Sequence, residues 1–128
     1  MISKISEGIK VNVECNYNTK HSKPILGDFI FSYCITIENY NAFTVQLLKR
    51  KWHIFDSLGA YREVEGDGVV GVQPIIKPGD HFQYVSFCNL KTEIGKMQGS
   101  YELLNLNTLE TFYVTIPEFE LIAPLKYN

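Results

Sequence analysis

The stretch from Trp52 to Pro78 reads WHIFDSLGAYREVEGDGVVGVQPIIKP, and it decides between two folds. Within it, Gly66-Asp-Gly-Val-Val-Gly71 matches G-x-G-x-x-G letter for letter. In a dinucleotide-binding fold that pattern joins a strand to a helix whose N-terminus faces the pyrophosphate. Here the sequel is Val72-Gln-Pro-Ile-Ile-Lys-Pro78. Proline lacks the backbone donor and clashes with the preceding helical turn, and β-branched residues lose rotamer freedom in a helix. A helix after Gly71 is not expected, and the dinucleotide reading fails on its own condition of strand, turn and helix. The glycines are expected instead to bend a connection between two β-layers.

Outward from this stretch, the alternation of apolar and polar residues has a period of two. Ile9, Val11, Val13, Cys15 and Tyr17 alternate with Lys10, Asn12, Glu14 and Asn16, as a half-buried strand requires. The segment Asn18 to Gly27 holds the Asn, Ser, Pro and Gly that turns recruit. Asp28 to Tyr40 is a second strand, with Phe29, Phe31, Tyr33, Ile35 and Ile37 on one face. Phe43 to Asp56 is a third. There Val45 and Leu47 share one parity and Leu48, Trp52 and Ile54 the other, so a β-bulge is expected near Leu47-Leu48. Tyr61 to Glu65 reads as a short exposed strand.

Beyond the glycines come Val72 to Ile76, a turn at Lys77-Pro-Gly-Asp80, and a strand from His81 to Phe87. Cys88 to Gly95 is irregular. Lys96 to Leu106 and Thr111 to Ile122 are further strands, joined by a hairpin turn at Asn105 to Thr108. Pro117 marks an edge or a strand end, and the tail from Ala123 to Asn128 is expected to fray. Seven or eight strands with no amphipathic helix imply an all-β antiparallel sandwich of immunoglobulin or fibronectin type III kind. A closed barrel such as the OB-fold is the alternative.

Composition narrows the function. The chain has 128 residues, enough for a single domain with a real core, and its 45% hydrophobic content argues against disorder. A net charge of −2 and a single basic run, Lys49-Arg50-Lys51, give too weak a footprint for nucleic-acid binding. The run lies in a strand, so its side chains alternate between faces. Cys15, Cys34 and Cys88 have neither disulfide nor zinc spacing. His21, His53 and His81 are scattered, so no metal site is expected. The opening MISKISEGIK lacks the apolar run of a secretion signal, and no stretch is long enough to span a membrane. A cytoplasmic protein is expected. No nucleophile elbow, P-loop or Cys-His pairing is visible, which predicts a non-enzymatic protein without a cofactor.

Two roles stand open for Gly66, Gly68 and Gly71. They serve backbone geometry at positive φ or close approach, or successive N–H groups form a concavity for an anion such as pyrophosphate. Glu65 and Asp67 would repel an anion, and only Arg62 and Lys77 lie near in sequence to offset them. Tyr61, Val69 and Val70 lie in the loop region where sandwiches bind partners, and apolar residues at a loop tip suit a protein contact.

Several motifs together resemble the ApaG family. They are Ile35-Thr-Ile-Glu-Asn39, Val45-Gln-Leu-Leu48 with Trp52, Glu65-Gly-Asp-Gly-Val-Val-Gly-Val-Gln-Pro74 and Lys77-Pro-Gly79. Phe82-Gln-Tyr84, Met97-Gln-Gly-Ser-Tyr101 and Ile116-Pro117 with Phe119 follow in the family's order, so the similarity runs from about Gly8 to Pro124. The resemblance implies a fibronectin-III-like sandwich and a small bacterial protein linked to cobalt and magnesium tolerance. It also implies a protein-interaction role, as in related eukaryotic F-box and polymerase-associated proteins. The glycine segment would be the family's candidate pyrophosphate or nucleotide site. The loop with Lys20, His21 and Lys23, and the tip at Asn105 and Asn107, depart from the family pattern. The resemblance supplies no catalytic residue.

Overall fold

A computed structural model describes residues 1 to 124. Nine strands follow one another: β1 (Ile2–Ser6), β2 (Ile9–Tyr17), β3 (Phe29–Asn39), β4 (Val45–Asp56), β5 (Tyr61–Asp67), β6 (Ile75–Ile76), β7 (His81–Leu90), β8 (Ile94–Asn105) and β9 (Thr111–Ile122). The only helical piece among the described residues is a 3-10 turn at Pro24–Leu26. Every strand pair is antiparallel. One sheet runs β1-β2-β3-β7 and the other β5-β4-β8-β9, with β6 continuing the line of β5 along β4. The expected all-β antiparallel sandwich is the fold.

The structure corrects the expected strands in three places. β1 had no counterpart in the sequence reading. Its Ile2 and Ile5 lie three apart, out of strand phase, and both are exposed. Glu7 and Gly8, with φ of 51° and 73°, join it to β2 in a tight turn. The segment expected to be irregular is a hairpin, because β7 runs on through Cys88 to Leu90 and β8 starts at Ile94. Ala123, expected to fray, is buried and donates its N–H to the Glu93 carbonyl at 2.8 Å. The rest of that tail, 125–128, lies outside the described residues.

The bulge expected in β4 is present: against β8, Leu47 pairs with Leu103 and Lys49 with Glu102, leaving Leu48 as the extra residue. A second bulge sets Pro117 and Glu118 against Gln98, between the pairs Met97–Phe119 and Gly99–Ile116. Pro117 thus sits at a bulge of an edge strand, where its missing donor costs no ladder bond.

The core lies between the sheets. Trp52 of β4 meets Tyr33 of β3 edge-on at 5.4 Å and Phe119 of β9 at 5.9 Å, so one indole ties both layers together. Its cross-strand neighbour is Gly99, where a Cβ would come within 3.2 Å of the indole and 2.2 Å of the Lys51 carbonyl oxygen. Truncating such a buried Trp costs about 3–5 kcal/mol. Asn39, the buried polar residue of this core, donates to the carbonyls of Phe43 (2.9 Å) and Ile76 (3.0 Å), pinning β6 to the end of β3.

Candidate functional site

The bulge in β4 and the glycine segment after β5 form one unit. An extra residue in a bulge leaves a carbonyl without a ladder partner. Here the Leu48 carbonyl accepts two bonds, from the Gly68 N–H at 2.8 Å and from the Gln73 side-chain amide at 2.9 Å. The Leu47 N–H donates to the Pro74 carbonyl at 3.0 Å. The chain between β5 and β6 thus lifts off β4 at Gly68 and lands again at Pro74.

Each glycine of the motif has a steric role. Gly66 lies over the Arg50 guanidinium, where a Cβ would stand 2.8 Å from both terminal nitrogens. That guanidinium donates to the carbonyls of Asp67 (3.1 Å) and Gly68 (2.9 Å). Gly68 has φ of 62°, and a Cβ there would lie 2.1 Å from the Val72 carbonyl oxygen. Gly71, with φ of 83° and open space around it, is the second central residue of a tight turn. The reciprocal bonds Val69 N–H to Val72 O (2.8 Å) and Val72 N–H to Val69 O (3.0 Å) close this turn. The first central residue is Val70, at φ of 42°. Positive φ at both centres is the type I′ pattern, which favours Asn-Gly, and a β-branched residue there is strained.

These bonds bear on anion binding. The amides of Gly68, Val69 and Val72 donate inward to protein carbonyls, so they do not converge on solvent. A hollow of about 450 Å³ beside Gly66 is lined by Lys49, Arg50, Lys51, Glu65, Asp67 and Glu102. Its charges offset one another, and Lys51 pairs with Glu65 at 3.2 Å.

Of the three residues expected to contact a partner, one is misplaced by the sequence reading. Val69 is wholly buried, its side chain plugging the core beneath the turn. Val70 is exposed as expected. Tyr61 is exposed at the far end of β5, opposite Phe55, whereas Asp67 lies opposite Lys49. Six residues of strand separate it from the glycine turn, about 20 Å. Its hydroxyl donates to Glu63 at 2.6 Å and faces His53 Nδ1 at 2.5 Å; the Glu63 bond, followed by burial, pushes its pKa up to about 12. The sequence reading missed Val72, exposed at 46% on the same excursion as Val70, and Ile75, exposed at 59% in β6 just beyond it. Their signal was the Gln73-Pro74 step, which ends alternation and leaves valine and isoleucine beside the tip.

Metal and thiol chemistry find little here. Among the described residues, no three His, Cys, Asp or Glu side chains converge on one point. Burial, then the nearby Cys88, pushes the Cys15 thiol up to about 11, and burial raises Cys88 too. Both are therefore weak nucleophiles. No helix of the described residues is long and apolar enough to cross a membrane.

Comparison with known proteins gives a consistent picture. Residues 19–105 match the model of the ApaG domain. The chain is 42% identical over its full length to Protein ApaG of Anaeromyxobacter dehalogenans, covering all of that protein. It is 42% identical over 123 residues to Protein ApaG of Chromohalobacter salexigens, covering 96% of this chain and 97% of the other. A crystal structure of a Bordetella pertussis protein named ApaA superposes with a TM-score of 0.87 at 37% identity, covering 92% and 95% of the two chains.

Proposed function

We propose, from the premise that this chain belongs to the ApaG domain family, that it is a non-enzymatic module binding another protein through the glycine turn. The observation that carries this reading is the tip itself. Val70 and Val72 are exposed on a short excursion whose base is held by Arg50, Gly68 and Gln73, and Ile75 is exposed in β6 where the chain rejoins β4. An apolar tip on a rigid base loses little conformational entropy on binding, which favours affinity per unit area. Holding Val70 at positive φ is the kind of backbone strain that collects at binding sites. In this reading, any tie to cobalt and magnesium tolerance runs through the partner rather than through a metal held by the chain.

The experiment compares partner capture by the wild type, by the double variant Val70→Asp with Ile75→Asp, and by Thr115→Asp, an exposed change on β9. A partner retained by wild type and Thr115→Asp but lost by the double variant is expected. Equal recovery by all three rejects the tip as the contact.

Pyrophosphate is the rival ligand. It is less favoured because the Gly68, Val69 and Val72 amides are bonded inside the protein and Asp67 stands at the rim. Calorimetry with pyrophosphate, with and without magnesium, decides between the two: saturable heat that disappears in Arg50→Met would replace the protein-contact reading.

A further inference from the structure

Among the described residues, four strands besides the two-residue β6 end the two sheets, and three of them are protected against pairing with another strand. β1 is five residues long and carries Lys4. β5 carries Arg62, Glu63, Glu65 and Asp67. β9 carries Pro117, a bulge, Glu118 and Glu120. Short length, charge, proline and bulges are the usual means of blunting an edge. β7 has none of them. Its ten residues, HFQYVSFCNL, contain no Asp, Glu, Lys or Arg, and its register with β3 runs unbroken from Glu38–His81 to Phe29–Leu90. Val85 and Phe87 are exposed at 53% and 62%.

The phase of its hydrogen bonds is fixed at both ends. The Asn39 N–H donates to the Asp80 carbonyl at 3.0 Å, so even-numbered residues of β7 face β3 and odd-numbered ones face the open edge. The Arg62 guanidinium, donating to the Asn89 carbonyl at 2.7 Å, shows the same phase. That bond also occupies the Asn89 acceptor. At the other end the His81 N–H donates to the Asp80 carboxylate at 2.8 Å. Between these two caps, Gln83, Val85 and Phe87 each present one donor and one acceptor to the edge.

We propose that β7 pairs antiparallel with β7 of a second copy of this chain, about a two-fold axis at Val85. In this register Val85 lies opposite Val85 of the copy and Gln83 opposite Phe87. All the uncapped groups between the caps are used, in about six main-chain hydrogen bonds. In the next pair, His81 against Asn89, the His81 donor and the Asn89 acceptor are already occupied. A shift by one pairing step either way would require the occupied His81 donor or the occupied Asn89 acceptor. A strand without formal charge meets its own copy without repulsion, whereas the charged β5 would not. The contact joins two four-stranded sheets into one and is small beside a stable interface of roughly 800 Å² per partner. The expected dissociation constant is therefore on the order of 100 µM.

The test uses the full chain. Sedimentation equilibrium of wild type should show reversible dimerisation, and amide exchange at Gln83, Val85 and Phe87 should slow as concentration rises while His81, whose N–H is already bonded to Asp80, stays unchanged. Val85→Lys and Val85→Glu should each be monomeric alone and associate when mixed, since only this register sets position 85 against itself. Val85→Pro deletes an edge donor without touching the β3 ladder and should abolish association. A wild type that stays monomeric near 1 mM overturns the proposal, as it would if this edge instead received a strand from another protein. Association retained by Val85→Pro, or no rescue on mixing, overturns it equally.

Discussion

Gly68 donates its backbone N–H to the carbonyl of Leu48 at 2.8 Å, and this bond joins the glycine motif to the bulge in β4. A backbone hydrogen bond of this kind contributes about 0.5–1.5 kcal/mol. The bulge carbonyl needs a donor from outside its own ladder, and the excursion after β5 supplies it. The motif therefore completes the sheet before it presents anything to a partner.

The two left-handed glycines should differ sharply. Gly68→Ala combines positive φ with a Cβ 2.1 Å from the Val72 carbonyl, whereas Gly71→Ala meets only the backbone preference. We expect losses of about 3 kcal/mol or more and about 1 kcal/mol respectively. Urea unfolding midpoints measure both, and equal losses would refute the coupling between the turn and the bulge.

Val70 is the strained residue of the tip, at φ of 42°. Val70→Asn suits a type I′ turn and should stabilise the protein by about 1 kcal/mol, raising Tm by roughly 4 °C. The same change removes an apolar contact, so partner capture should weaken as stability rises. A lower Tm would show that the valine is held without strain.

Arg50 holds the base of the turn through the Asp67 and Gly68 carbonyls. Arg50→Met keeps the stem but leaves both acceptors to find other partners, at a cost of about 1–3 kcal/mol. Lys49→Met, on the exposed outer face, should change stability by no more than about 0.5 kcal/mol. Guanidinium chloride unfolding of the pair checks the contrast.

Asp56 links the β4 end to the β7–β8 turn. Burial alone would raise its carboxyl, but the Thr92 hydroxyl and the amides of Lys91, Leu58 and Ser57 outweigh it and hold the pKa below the usual value. A depressed folded pKa contributes stability above the unfolded value, and that contribution is lost as pH falls through the folded one. Asp56→Asn should therefore be less stable than wild type at pH 7, with the gap closing below about pH 4. Unfolding free energies at neutral and acidic pH test this, and a constant gap would contradict it.

The bulge at Leu48 was legible because a bulge reverses side-chain parity, and Leu47, Leu48 and Trp52 record that reversal directly. The orientation of Val69 was not. Val69 and Val70 are chemically alike, and only the reciprocal Val69–Val72 pair turns one inward and the other out. That Arg50 faces away from Lys49 and Lys51 was legible from strand alternation, but its place over Gly66 depends on the register of β4 with β5.

From the sequence alone came the all-β class, the sandwich, the bulge and the exclusion of a helix after Gly71. These follow from alternation and proline placement, which are local properties of a strand. Only the tertiary structure decided that Gly66 closes onto Arg50 and Gly68 onto Leu48, that Val72 shares the tip with Val70, and that β7 is left open between two capped ends. Those facts depend on which residues pairing brings together from some twenty positions apart, and a side-chain period of two carries no information about that distance.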